Sequence, residues 1–232
     1  MTKTHPAFRL LILTLIGLLA VELVISSTQA QSECAHLGSS PKVTLLIKPG
    51  KIVLSNELSR SQITTLSGRR QLSSGLQSHW QPIGLTLTEH QFSMQIKVRA
   101  KQIAGNRFCG QLSGVDAQLG YDKLEVYIAR KYRPGSCHYR SILDHENRHV
   151  AVFRDALVKY APRIEHRLKR FAASLGPVVA TSANQAAKIL RQKLQRELKP
   201  LIREMDREMD FRNAKLDSPQ NYRKEQARCS QW

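Results

Sequence analysis

Residues 145–149 read His-Glu-Asn-Arg-His, two imidazoles four positions apart with a carboxylate directly after the first. On an α-helix, positions four apart are separated by about 40° around the axis and one turn along it, so both imidazoles can reach a single ion. Neutral imidazole nitrogen suits zinc, which in catalytic sites keeps one position open for water. Glu146 is off the metal in this arrangement. Beside a water whose pKa the ion has lowered, it accepts the proton and leaves a hydroxide to attack a polarised peptide carbonyl. The expected chemistry is zinc-dependent hydrolysis of peptide bonds, with His145 and His149 as ligands and Glu146 as general base.

These groups need a helix to align them. No helix breaker falls between Ser141 and Tyr160, and Val152, Ala156 and Tyr160 continue the face of the two histidines, so the pair is expected to point inward. Ser141 with Asp144 three residues on reads as the start signal. Further helices are expected over Pro162–Leu175 and Ala183–Asn213, with Gly176-Pro177 as the break between them. The last carries an apolar stripe at Leu190, Leu194, Leu198, Leu201, Ile202, Met205 and Met209, with a kink or a break expected at Pro200. Upstream, Val43–Ile47, Ile52–Leu54, Gly84–Leu87, Phe92–Val98 and Lys123–Ile128 are short, β-forming segments that read as strands. Asn56 is expected to cap a short helix through Leu66. Strands grouped ahead of helices predict an α+β fold, a small antiparallel sheet followed by long helices of which the first carries HExxH.

The first thirty residues read as an address. Lys3 and Arg9 precede an apolar run from Leu10 to Ile25, and Ser26 to Ala30 form a polar, small-residue exit, the order of a secretory signal peptide cleaved after Ala30. The run contains Glu22 and falls short of the roughly 20 uninterrupted apolar residues of a spanning helix. The expected organisation is a signal peptide over 1–30, a metallopeptidase-like domain over 31–176, and a basic helical segment over 177–232 packing on it. The destination is secreted or periplasmic. Cys34, Cys109, Cys137 and Cys229 form an even set without CxxC spacing, so export predicts two disulfides. Chosen by locality, the pairs are Cys109 with Cys137 and Cys34 with Cys229.

The 232 residues carry 36 Lys plus Arg against 18 Asp plus Glu, a net charge of +18. A hydrophobic content of 41% excludes a disordered polymer. The basic excess, spread over the chain, draws the protein toward anionic partners, and an anionic envelope polymer or lipid surface is expected beside the peptide or protein substrate. Aromatic residues at 6% offer few stacking platforms, so nucleic acid is not an expected partner. The rival reading is a basic envelope protein that binds an anionic polymer or a partner helix and uses His145 and His149 only structurally.

With His145-Glu146-x-x-His149 on an exported chain, the sequence resembles the zincin metallopeptidases. It looks closest to a bacterial family described as predicted secreted zinc-dependent proteases, in which strands and a Cys-containing loop precede the HExxH helix. The specific overlap covers about Gly135–Val150, including Gly135-Ser136-Cys137. The resemblance implies zinc on His145 and His149 and proton transfer by Glu146. Metzincins continue as HxxGxxH after the Glu, whereas here Val152 holds the Gly position and Asp155 the last ligand position. If the helix runs on, Asp155 lies about 120° around from His149 and about 9 Å along the axis, out of reach of the same ion. Glu208, nearest the later apolar stripe, is the expected third ligand, with Glu165 and Asp155 as the alternatives.

Overall fold

The computed structural model describes residue 34, residues 37–69 and residues 82–232. The expected signal peptide lies outside them. The elements in chain order are β1 (Lys42–Ser55), α1 (Arg60–Arg69), β2 (Gly84–Thr88), β3 (Gln91–Ile103), β4 (Arg107–Ile128), α2 (Cys137–Ser174), β5 (Val178–Ala180), α3 (Ala183–Leu216) and α4 (Pro219–Gln226). The fold is α+β, a five-stranded sheet followed by long helices, as the pattern predicts. β4 is the spine of the sheet: β1, β2, β3 and β5 all pair with it. β2 runs antiparallel to the end of β4, from Gly84 opposite Ile128 to Thr88 opposite Leu124.

The chain forms two compact units. Of the described residues, one comprises those up to Lys42, Ile96–Val115 and Ala172–Leu194; the other comprises those in Val43–Gln95, Asp116–Phe171 and Gln195–Trp232 and holds the HExxH motif. Alternation on β4 buries Leu124, Val126 and Ile128 in the second unit and turns Lys123 toward water. The 3.6-residue period of α2 does the same for Ala156, Tyr160, Ile164 and Leu168, and that of α3 for Leu198, Met205 and Met209. Each fully buried Leu or Ile contributes about 1.5–3 kcal/mol of burial free energy, and this stripe is what holds the helix carrying His145 in place.

Several elements depart from the sequence expectations. Helix α2 is continuous through Pro162 and begins at Cys137, where Ser136 Oγ accepts from Tyr139 N at 3.1 Å as the cap. Helix α3 likewise passes through Pro200. Both prolines lie on exposed faces, as do Val158 and Arg196 four residues earlier, so neither ring displaces a core side chain. Asn56 does not cap α1. It donates to the carbonyls of Ile128 and Ala129 at 3.0 and 3.2 Å, and Ser59 caps α1 reciprocally with Gln62, at 3.2 Å to Gln62 N and 2.8 Å from Ser59 N to Gln62 Oε1.

The disulfide pairing also differs. Cys34 bonds Cys109 and Cys137 bonds Cys229, at Cα separations of 5.8 and 5.9 Å. Locality along the chain misleads because Cys109 is buried inside the first unit, whereas Cys137 opens α2 where the chain returns after α4. Two disulfides mark an oxidising compartment. Among the described residues no helix is long and apolar enough to cross a membrane.

Candidate metal centre

One turn of α2 separates His145 and His149, and both rings turn inward at 5% and 7% residue exposure. Their Nε2 atoms lie 3.0 Å apart, and each is 3.2 Å from Asp217 Oδ1. Three ligand-type atoms therefore form a nearly equilateral triangle. Bonds of about 2.0–2.1 Å in a tetrahedral zinc site place neighbouring ligand atoms about 3.3–3.4 Å apart, so the triangle is within a few tenths of an ångström of one tetrahedral face. The group can hold a metal ion.

The outward nitrogens are also engaged. His149 Nδ1 is 2.9 Å from Asn213 Oδ1, an oxygen that only accepts, so Nδ1 carries a proton and Nε2 is the ring nitrogen turned toward Asp217. His145 Nδ1 lies 2.8 Å from Glu225 Oε2, close but poorly aligned for a hydrogen bond. Glu225 also pairs with Arg148 and accepts from Asn221 Nδ2 at 2.9 Å. Tyr222 stacks on the His145 ring at 5.1 Å between centroids, and its hydroxyl donates to Asp217 Oδ1 at 2.8 Å. Such outer partners fix ring orientation in metal sites.

Electron-rich atoms this close need a positive charge among them. Burial by itself would lower the His145 pKa, but hydrogen bonding to Asp217 and the Glu225 carboxylate push it up to about 10. His149 shifts upward for the same reasons, burial opposing and Asp217 prevailing. Burial would raise Asp217, and the two histidines instead hold its carboxyl far below the carboxylate range. The cluster favours positive charge at its centre, which protons on the rings supply.

Glu146 is buried, and burial raises its pKa against the opposing pull of His149 and His145. Thr86 on β2 donates to Glu146 Oε2 at 2.7 Å. Gly84 lies against the same carboxyl: a Cβ there would overlap Glu146 Oε1 and Ile142 Cγ2. Strand β2 thus fixes the carboxylate that follows the first histidine.

Of the residues expected from sequence, His145, Glu146 and His149 come together and Glu208 does not. Glu208 accepts from Lys159 Nζ at 2.5 Å and from Tyr160 at 2.8 Å, one of several α3 acids paired with α2. Asp155 pairs with Arg212 at 2.8 Å, turned away by the continuous helix, and Glu165 pairs with Lys169 at 2.6 Å. Asp217 takes the third corner. The signal that could have found it is Asp217-Ser218-Pro219, where Ser218 caps α4 and Pro219 stands in its first turn, which fixes a tight corner after α3. Comparison of the chain with family models, with curated proteins and with solved structures returns no match.

Proposed function

We propose that the protein is an exported zinc-dependent metallopeptidase whose centre is His145, His149 and Asp217. The observation that carries this reading is the triangle of two Nε2 atoms and one carboxylate oxygen with edges of 3.0–3.2 Å, beside the buried Glu146. Two nitrogen ligands and one carboxylate suit zinc, which when bound supplies Lewis acidity and lowers the pKa of a water in its remaining position to near 7. The protein's residues do the rest. Asp217 offsets the charge, Asn213 and Glu225 orient the rings, and Glu146 takes a proton from the attacking water at the carboxylate that Thr86 and β2 hold. The resemblance to zincins supports a peptide bond as the substrate. Export through a cleaved segment 1–30 to the periplasm or medium fits the two disulfides.

A second reading is a structural metal that fastens the end of α3 to α2. The burial of both histidines and the stacking of Tyr222 on His145 favour it. Glu146→Gln separates the two. On the catalytic reading it retains zinc and fold and lowers a chelator-sensitive peptide cleavage by about 100- to 10,000-fold, whereas His145→Ala loses metal and cleavage together. Full cleavage by Glu146→Gln overturns the mechanism.

A further inference from the structure

Charge on α3 is sorted between its two sides within the second unit. Glu197, Glu204 and Glu208 all pair with cations of α2: Arg167, Arg163 at 2.9 Å and Lys159 at 2.5 Å. Asp206 pairs with His90 at 3.2 Å. The cations Lys199, Arg203 and Arg207 are left exposed, with no such partner among the described residues. Phe211 continues this i, i+4 row and is 71% exposed. Each step rises about 6 Å and turns about 40°, so three cations and a phenyl ring form a band about 18 Å long sweeping about 120° of the helix surface. Asp210 lies within the band's sweep, and Asp206, engaged with His90, borders it with a side chain 44% exposed, so three cations against the one acid without an ion pair among the described residues leave the band net positive.

We propose that this band docks the protein on an anionic phospholipid bilayer, with Lys199, Arg203 and Arg207 on the headgroups and Phe211 entering the interface. Charge complementarity selects an anionic partner. The phenyl ring selects a bilayer over a soluble polyanion, because a bilayer has an apolar layer beneath its phosphates and a hydrated polymer offers the ring nothing to enter. The surface is separate from the metal centre and does not depend on the proposed activity.

The test is co-sedimentation of the full mature chain with vesicles of phosphatidylcholine alone or mixed with phosphatidylglycerol. Binding is expected only with the anionic lipid, falling with added salt. Each charge removed in Lys199→Ala, Arg203→Ala or Arg207→Ala should weaken partitioning by about five-fold. Phe211→Ser should weaken it with net charge unchanged. Far-UV circular dichroism and zinc content serve as fold controls for each variant. Equal binding to neutral vesicles, a triple cation variant that binds like the parent, or binding to soluble polyphosphate but not to vesicles would each overturn the proposal.

Discussion

The Cys137–Cys229 disulfide should govern metal affinity, whereas Cys34–Cys109 should not. Cys229 is the third residue after α4, the helix that carries Tyr222 onto His145 and Glu225 to its Nδ1, and the bond ties this segment to the first residue of α2. The two bonds span 92 and 75 residues, so chain entropy assigns each about 4–5 kcal/mol of global stability and separates them by only about 0.2 kcal/mol. Their effects on unfolding should therefore be similar. Their effects on the centre should not be. Without Cys137–Cys229, α4 is held by the Ser218 cap, by Asn221 donating to Leu216 O at 2.8 Å, and by the Tyr222 and Glu225 contacts themselves. Loosening outer-shell partners of this kind typically costs 10- to 100-fold in metal affinity. Competition with a chromophoric chelator gives zinc affinity for the parent, Cys137→Ser/Cys229→Ser and Cys34→Ser/Cys109→Ser, each checked to be folded. A first double variant that binds zinc as tightly as the parent, or equal weakening in both, would show that the Cys137–Cys229 bond does not hold the centre.

Three further outcomes follow from the same geometry. Asp217→Ala should abolish tight zinc binding and Glu208→Ala should leave it intact, by the same competition assay; the reverse would restore the sequence expectation. Gly84→Ala should destabilise by about 1–3 kcal/mol in urea unfolding, because its methyl overlaps Glu146 and Ile142, while Gly68→Ala, with open space at the Cβ, should not; equal stability of the two variants counts against the β2–Glu146 packing. In metal-free protein the His145 pKa is raised from 6.5 to about 10, so its stabilisation is complete below pH 6.5 and is lost as pH rises toward 10. Thermal melts of parent against His145→Gln should converge over that range, whereas zinc affinity should rise with pH as the ligands lose protons; a difference constant with pH would contradict the assignment.

Much of the centre is legible in the chain because its two histidines share one helix. The period that places Ala156 and Tyr160 in the core also turns His145 and His149 inward, and nothing else is needed to bring them together. Asp217 is hidden because its position depends on how the chain turns after α3 ends at Leu216, a few residues beyond the Asn213 to which the helical pattern extends. Pro200 is tolerated inside α3 because it faces water, a property of packing that spacing alone does not carry. The first two-thirds of β4 are obscured for a related reason. Gly110, Gly114 and Gly120 interrupt its β-forming pattern like turn residues, yet they serve close approach: a Cβ at Gly120, where φ is +137°, would collide with the Lys48 carbonyl. The disulfides fail to follow locality because each joins segments that meet only once the units have folded.

The most direct test of the metal centre is elemental analysis of the purified protein after zinc loading and exhaustive dialysis. One zinc per chain is expected for the parent, with none retained by His149→Ala or Asp217→Ala of unchanged circular dichroism. A parent protein that retains no zinc, or an Asp217→Ala variant that keeps its full equivalent, would contradict the assignment of His145, His149 and Asp217 as ligands.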